Sequence, residues 1–267
     1  MLFYKIYIQI VREIKNFFFG YNNLNYKFLK YYNLLTGKKI ITFNKNKFFY
    51  DNPNTPLLLD NFYNDLKFLK KHVSVNSKIL DIGANIGQFS IILNSLIPNI
   101  RILAYEPNRI IFNLLKKNCK SFKNIKINNF GISYQNEKKI LYFVNNKSSQ
   151  GSYYKSNSTF NLSYKNITKT KTALKKLKTF QYFDLVKIDT EGYELNILKS
   201  FKNIYFKYLY IENSENIYPY LKNYEFLKKI ENIFKDQKKK IINIKTFERN
   251  FGVYDNFIVI KNKPYLS

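Results

Sequence analysis

The chain has 267 residues, enough for one large α/β domain with an N-terminal extension and short for two separate enzymes. Its single cysteine and single histidine exclude a disulfide framework, a zinc site of several thiolates and a multi-histidine metal site. A net charge of +27 is typical of proteins that bind nucleic acid or anionic membranes, but all except four of the 45 basic residues are lysine. We attribute the charge first to A/T-rich codon bias and second to an anionic partner, and we expect a reducing, cytoplasmic compartment.

Residues 1–75 are predicted to be an extension that covers the core. Residues 1–19 have one apolar and one polar helical face, with too many charges to span a bilayer and no signal-peptide cleavage site. We expect this helix to pack on its own domain or on a second subunit, and peripheral contact with a membrane is the alternative. Residues 38–50 then predict a β-hairpin, and Leu57 to His72 predict a helix.

A glycine loop follows the first predicted strand of the core, Lys78 to Ile82. The spacing Asp81-x-Gly83-x-x-x-Gly87 differs from the three glycines of a dinucleotide fingerprint. Glycine is expected where a backbone turns sharply or approaches a ligand closely. An acidic residue with two glycines suits a ligand that carries an ammonium and a sulfonium better than one with two phosphates. We therefore predict a nucleoside-sized ligand, held by Asp81, Gly83, Ala84, Asn85, Gly87 and Phe89.

The next predicted strand, Arg101 to Tyr105, presents Glu106 at its end, 23 residues after Gly83. In nucleotide-binding folds a carboxylate roughly 20 residues after the glycine loop accepts the ribose hydroxyls. Glu106 is therefore predicted to bind a ribose. Pro107 is predicted to begin a helix that reaches about Cys119.

The strand Phe183 to Ile188 ends in Asp189, and a helix is predicted to begin near Thr190 with Glu191 and Glu194 in its first turn. Ligands of open α/β sheets lie beyond the carboxyl ends of the strands, so Asp189 is expected near the reacting group. It could accept a proton from a hydroxyl, hold the substrate, or ligate a divalent ion together with Glu191. For Glu194 we expect only stabilisation of the helix N-terminus.

The remaining pattern completes an α/β fold. A fifth strand ends in Glu212 at the same edge, and the whole predicts a Rossmann-like, seven-stranded, mostly parallel sheet with helices on both faces and an antiparallel C-terminal strand pair. Residues 144–180 are a polar insertion, predicted to be a lid or substrate loop. The other predicted elements are the strands 125–129, 208–211, 241–244 and 256–260 and the helix 220–236.

Three motifs give the chain a specific resemblance. It resembles a class I S-adenosylmethionine-dependent methyltransferase of the FkbM family over roughly residues 76–260. The motifs are Ile79 to Gly87 (ILDIGANIG), Tyr105 to Asn108 (YEPN) and Leu185 to Glu194 (LVKIDTEGYE).

The resemblance implies a catalytic domain over residues 76–267 with S-adenosylmethionine as cofactor. It also implies cofactor contacts by Pro107 and contacts to the adenine by Asn129 and Gly131, with Asp189, Glu191 and Glu212 as catalytic candidates. The implied reaction is O-methylation of a hydroxyl on a small-molecule or glycan acceptor. No resident metal is indicated.

Two other functions stay open. The charge favours a nucleic-acid methyltransferase, but the fourth strand lacks the Asp/Asn-Pro-Pro-Tyr signature of amino-group methylation, which makes nucleic acid the less favoured acceptor. A binding module without activity is the other alternative, because a fold alone does not establish catalysis.

Overall fold

The computed structural model of the protein describes residues 40–43, 45–50, 66–144, 147–155, 167–177, 181–216, 221–248 and 253–262. The strands are β1 (Ile40–Phe43), β2 (Asn46–Phe49), β3 (Lys78–Ile82), β4 (Arg101–Tyr105), β5 (Ile125–Asn128), β6 (Gly131–Ile132), β7 (Glu137–Val144), β8 (Lys147–Ser152), β9 (Ile167–Lys175), β10 (Gln181–Ile188), β11 (Ile204–Ser214), β12 (Lys239–Glu248) and β13 (Val253–Asn262). The helices are α1 (Gln88–Leu96), α2 (Arg109–Asn118), α3 (Glu194–Lys199) and α4 (Asn223–Asp236).

Seven strands form the central sheet, in the order β12-β13-β11-β10-β3-β4-β5. The five strands from β11 to β5 run parallel, whereas β13 is antiparallel to both β11 and β12. This topology confirms the predicted sheet and its antiparallel C-terminal strand pair. The strand order reverses between β3 and β10, and open sheets bind ligands beyond the carboxyl ends of their strands at such a switch point.

Both faces of the central sheet are buried. Ile79 belongs to a core cluster with Ile91 of α1 and Leu115 of α2. Leu80, the next residue of β3, belongs to the opposite cluster with Leu198 of α3. Successive strand residues point to opposite faces, so a sheet covered on both sides needs near-continuous apolar runs such as those seen in the sequence.

The predicted hairpin is confirmed as β1 and β2, which pair antiparallel. Asn118 of α2 holds the hairpin, because its Oδ1 accepts a hydrogen bond from the Phe49 N–H at 2.7 Å. Its Nδ2 donates to the carbonyl of Ile86 in the glycine loop at 2.8 Å. The hairpin is therefore fastened beside that loop. The predicted helix over 1–19 and residues 57–65 lie outside the described residues.

A second sheet, in the order β6-β9-β7-β8, occupies much of the predicted insertion. This sheet was not predicted, because β9 alternates lysine and threonine and has few of the apolar residues that mark a strand. That the region acts as a lid stays a prediction. Within the described part of the chain, no helix is both long and apolar enough to cross a bilayer.

Two of the element boundaries that differ from the prediction place residues of the site. Helix α2 begins two residues after Pro107, because the Asn108 side chain caps it by accepting a hydrogen bond from the Ile110 N–H at 3.1 Å. Strand β11 extends to Ser214, so Glu212 lies within the strand and not beyond its end.

Candidate functional site

The glycine loop turns directly against the end of β10. Gly83 has φ +78, and a Cβ atom there would lie 1.8 Å from the carbonyl oxygen of Asp189. The N–H groups of Gly83 and Ala84 both donate to the Tyr105 carbonyl at 3.0 Å. Asn85 also has a positive φ, of 53°. The predicted need for glycine at position 83 is explained by contact with the neighbouring strand end.

Glu106 lies at the end of β4, as predicted, with both carboxylate oxygens engaged by backbone. Oε2 accepts from the Asn85 N–H at 3.0 Å and Oε1 accepts from the Asn108 N–H at 2.8 Å. Its side chain thus joins the glycine loop to the start of α2. Burial raises the pKa of Glu106 to about 7, against the opposing effect of the two N–H donors.

Asp81 lies beneath the loop and is fully buried. Its Oδ2 accepts a hydrogen bond from the Ser90 hydroxyl at 2.6 Å. Its Oδ1 lies 3.4 Å from the Lys187 ammonium and makes no hydrogen bond within the described structure. Burial raises the pKa of Asp81, although Lys187 and Ser90 oppose the shift. Both oxygens of the Asp81 carboxylate therefore face side chains of the protein, one Ser90 and the other Lys187.

Gly87 and Phe89 support the loop from the core. Gly87 has φ +96 and precedes α1, and a Cβ atom there would lie 3.0 Å from Leu115 and 3.4 Å from Cys119. Gly87 therefore allows α1 and α2 to pack closely. Phe89 is 1% exposed and stacks on Tyr210, with the ring centroids 6.5 Å apart.

The predicted adenine region follows β5. The Asn129 side chain donates from Nδ2 to the backbone carbonyls of Glu106 at 2.9 Å and of Pro107 at 3.3 Å. Gly131 begins β6, where a Cβ atom would lie 2.5 Å from the Leu174 side chain of the second sheet. Pro107, Asn129 and Gly131, all predicted to contact the cofactor, therefore lie next to Glu106.

Three predicted catalytic carboxylates converge on the other side of the switch point. Asp189 follows β10, Glu191 lies in the next loop, and Glu212 lies within β11. One carboxylate oxygen from each lies within 4.8 Å of the other two, and all three residues are half-buried. Oxygen ligands of this kind suit Mg²⁺ or Ca²⁺, so the three residues could ligate a divalent cation.

The prediction that a helix begins near Thr190 is wrong, because α3 begins at Glu194. Positive φ angles at Glu191 (55°) and Gly192 (103°) are incompatible with a helix there. Glu194 braces the loop through Oε1, which accepts from the N–H groups of Thr190 at 2.8 Å and Gly192 at 3.2 Å. The Ser152 hydroxyl of the second sheet donates to the Glu191 carbonyl at 2.7 Å.

The carboxyl group of Glu191 lies close to other carboxylates. Burial raises the pKa of Glu191 to about 8, and the neighbouring carboxylates of Asp189 and Glu194 add to the shift. Glu191 is therefore largely protonated at neutral pH, in contrast to an exposed glutamate.

Lys187 was not among the predicted site residues, although it is 2% exposed and lies between the two sides of the site. Its ammonium donates to the Gly83 carbonyl at 2.6 Å and lies 3.3 Å from Asp189 Oδ2. Burial lowers the pKa of Lys187, but the carboxylates of Asp189 and Asp81 outweigh it, so the pKa is raised and the side chain is a cation. The signal was available, because lysine is almost never fully buried unless it is paired, and Lys187 interrupts an apolar strand.

Comparison with solved structures gives distant similarities. TYW2 from M. jannaschii in complex with AdoMet has a TM-score of 0.50 at 12% identity, with 84% of this chain and 86% of that chain covered. The fibrillarin pre-rRNA processing protein of Methanococcus jannaschii has a TM-score of 0.47 at 16% identity, with 85% and 84% covered. Trm5b from Pyrococcus abyssi has a TM-score of 0.42 at 14% identity, with 74% of this chain covered, and the chain spans 48% of its length.

A comparison with family profiles is more specific. No curated protein matches the sequence. The profile of the FkbM methyltransferase domain matches residues 81–241, more than half of the chain, and this range includes every side chain of the site described above. The chain therefore belongs to the FkbM methyltransferase domain family.

Proposed function

We propose that the protein transfers a methyl group from S-adenosylmethionine to a hydroxyl of a sugar, a glycan or a related metabolite. The observation that carries the proposal is the meeting of the glycine loop, Glu106 and Asp189 at one edge of the sheet. Membership of the FkbM family supports methyl transfer, and the resemblance implies oxygen as the methylated atom. When bound, the cofactor supplies an electrophilic methyl group on a sulfonium.

Glu106 supports the cofactor assignment. An ionised carboxylate offers about four acceptor sites, and the Asn85 and Asn108 N–H groups use two of them. The remaining two suit the two ribose hydroxyls of an adenosine. Because the oxygens are already fixed by backbone, Glu106 needs no rearrangement to bind them. The residues present therefore fit the cofactor.

Asp189 is the proposed proton acceptor. As the acceptor oxygen forms its bond to the methyl carbon and the carbon–sulfur bond breaks, the hydroxyl proton passes to the Asp189 carboxylate. This carboxylate is 25% exposed, enough to meet an acceptor that enters from solvent. Its backbone contact with Gly83 puts it beside the proposed cofactor loop.

The first test is calorimetric titration with S-adenosylhomocysteine, followed by transfer of labelled methyl groups to a panel of methyl glycosides. We expect micromolar binding and a product that resists mild alkali, as an ether does and an ester does not. Asp189→Asn should change S-adenosylhomocysteine affinity less than about threefold and reduce turnover at least about 100-fold. Failure of the folded wild-type protein to bind would favour the inactive binding module.

The same assays decide the role of the three carboxylates. We expect turnover to survive a divalent-metal chelator, because Asp189 is proposed as a base. Loss of turnover in chelator with recovery in Mg²⁺ would instead assign Asp189, Glu191 and Glu212 as metal ligands.

A nucleic-acid acceptor is the second candidate, and a specific observation favours it. The β7–β9 register pairs Ile140 with Lys171 and Tyr142 with Lys169, so these side chains share one face of the second sheet with Lys138. All three lysines are exposed. Exposed lysines beside an aromatic side chain suit a nucleic-acid backbone.

Mixed RNA tests this second candidate. Under it, binding weakens steeply with salt, and Lys169→Glu with Lys171→Glu weakens it far more than the control pair Lys228→Glu and Lys229→Glu on α4. Equal effects of the two pairs would indicate non-specific attraction to the net charge.

A further inference from the structure

Lys187 is the one described lysine whose ammonium touches both the glycine loop and a candidate catalytic carboxylate. Three acceptor oxygens surround its Nζ atom, from Gly83 at 2.6 Å, Asp189 at 3.3 Å and Asp81 at 3.4 Å. An ammonium has three N–H donors and no acceptor. The Gly83 carbonyl accepts a hydrogen bond from the ammonium, and the two carboxylates are its ion-pair partners. As a cation, Lys187 has no free lone pair with which to act as a base.

The contacts of Lys187 join two parts of the site that belong to different strands. Gly83 belongs to the loop after β3, whereas Asp189 follows β10. Backbone packing between them is already close, because the Asp189 N–H donates to the Ile82 carbonyl at 3.1 Å and Gly83 leaves no room for a Cβ atom. Lys187 adds the only described side-chain link between the Gly83 carbonyl and the Asp189 carboxylate.

We propose that Lys187 is a positioning residue whose cation holds the cofactor loop and the Asp189 carboxylate in one arrangement. Removal of the ammonium leaves the Gly83 carbonyl without its side-chain donor. It also removes the ion pair that holds the Asp189 side chain in its present rotamer. The glycine loop and the Asp189 carboxylate are then no longer held relative to each other by a shared side chain. The expected effect of Lys187 on turnover rests on the proposed function, whereas its expected effect on the glycine loop does not.

The competing explanation is that Lys187 only neutralises Asp81. An isolated buried carboxylate is costly, so Lys187→Met alone could unfold the protein for that reason. The double variant Asp81→Asn with Lys187→Met removes both charges, and Asp81→Asn alone is its reference. A matched control is Lys239→Met, because Lys239 is also buried and donates to the Phe201 carbonyl at 2.8 Å, but lies in β12 away from the site.

The measurements are thermal unfolding, S-adenosylhomocysteine affinity and methyl-transfer kinetics. Relative to Asp81→Asn, we expect the double variant to bind S-adenosylhomocysteine at least about tenfold more weakly and to lose about 100-fold in kcat with a smaller change in acceptor KM. Lys239→Met should leave the affinity unchanged. Equal affinity and kcat in the double variant and its reference would show that Lys187 only balances Asp81 and would overturn the proposal.

Unfolding separates failure of this inference from failure of the proposed function, because it needs no ligand. In the Asp81→Asn background, the midpoint shifts of Lys187→Met and Asp189→Asn should deviate from additivity by about 3 °C or more. Additive midpoint shifts would show that Lys187 and Asp189 are not energetically coupled, and would contradict the inference whatever the protein binds. A protein that binds no S-adenosylhomocysteine but shows the coupling would refute the proposed function alone.

Discussion

Asp81 and Glu106, on the glycine-loop side of the site, receive hydrogen bonds from Ser90 and from two backbone N–H groups. On the other side, Asp189, Glu191 and Glu212 bring carboxylate oxygens within 4.8 Å of one another. The first side is arranged before any ligand arrives. On the second side three carboxyl groups are close together, and a proton on Glu191, a cation or a donor group on the acceptor reduces the repulsion between them.

The difference suggests a division of labour. A preorganised side binds a constant ligand with little reorganisation, which suits the cofactor that every turnover requires. A side with excess negative charge can take up a proton, as transfer to a hydroxyl demands. Lys187 lies between them and is the described cation that contacts both.

The largest expected effect comes from Gly83→Ala, which breaks the preorganised side. The new methyl group would collide with the Asp189 carbonyl oxygen, and the alanine would have to adopt a φ near +78. We expect a loss of S-adenosylhomocysteine affinity of at least about 100-fold, with a midpoint lowered by about 10 °C. The control is Gly151→Ala. The three heavy atoms nearest to its Cβ atom would all belong to the Leu141 side chain, the first at 3.3 Å, so the variant should change neither measurement much.

Glu106→Gln tests whether the preorganised carboxylate is the ribose acceptor. The amide has one oxygen in place of two, so it cannot accept from both backbone N–H groups and both ribose hydroxyls. We expect S-adenosylhomocysteine to bind roughly 30-fold more weakly by calorimetry, a loss in the range of charged hydrogen bonds. Glu225→Gln, in the first turn of α4, should leave the affinity unchanged.

The same variant carries a pH signature. The hydroxyl donors favour the ionised carboxylate, and the pKa of Glu106 is raised to about 7. Wild-type affinity should therefore fall as pH decreases from 8 to 6, and the fall should vanish in Glu106→Gln. A pH-independent wild-type affinity would place the ribose elsewhere.

Glu191→Gln sharpens the other half of the comparison. With a pKa raised to about 8, Glu191 contributes stability that is fully present below its ordinary pKa and is lost as pH rises toward about 8. We expect the variant to be more stable than wild type by roughly 1–3 kcal/mol at pH 9 in denaturant unfolding, with little difference near pH 4.5. Glu231→Gln, exposed on α4, should behave as wild type at both pH values.

Equal stability at pH 9 would mean that the repulsion is compensated. A bound divalent cation is one source of compensation, and repeating the measurement in chelator distinguishes it. A difference that appears only in chelator would show that the carboxylates hold the cation.

The central sheet was predictable because its signals are local. Parallel strands that are buried on both faces require apolar runs. Glu106 and Asp189 each follow the end of such a run, and Asp81 is the carboxylate within the run of β3. The second sheet was not predictable in the same way. Its strand β9 pairs with β6 and β7, and such non-local pairing leaves a weak trace in a lysine-rich and threonine-rich sequence.

Residue identity did not predict the contacts or the backbone conformation of two site residues. Asp81 was predicted to be one of the residues that hold the ligand, and in the structure its carboxylate contacts Ser90 and Lys187. Glu191 was expected in a helical turn and lies instead in a loop with positive φ. The Asp81–Lys187 ion pair joins two distant strands, and the Ser152 hydroxyl of the second sheet donates to the Glu191 carbonyl. Local periodicity encodes neither contact.

The smallest effect is expected from Ser90→Ala. This variant tests whether Asp81 supports the glycine loop structurally or contacts the ligand directly. The variant removes the 2.6 Å hydrogen bond to Asp81 and should lower the free energy of unfolding by about 1–2 kcal/mol. Ser95→Ala, on the same helix, removes an exposed hydrogen bond from Asn46 at 2.7 Å and should cost less than the loss of the buried one. S-adenosylhomocysteine affinity should change less than about threefold, because the Asp81 carboxylate is enclosed beneath the loop. A large loss of affinity with little loss of stability would instead mean that Asp81 turns toward the ligand on binding and that Ser90 sets its orientation.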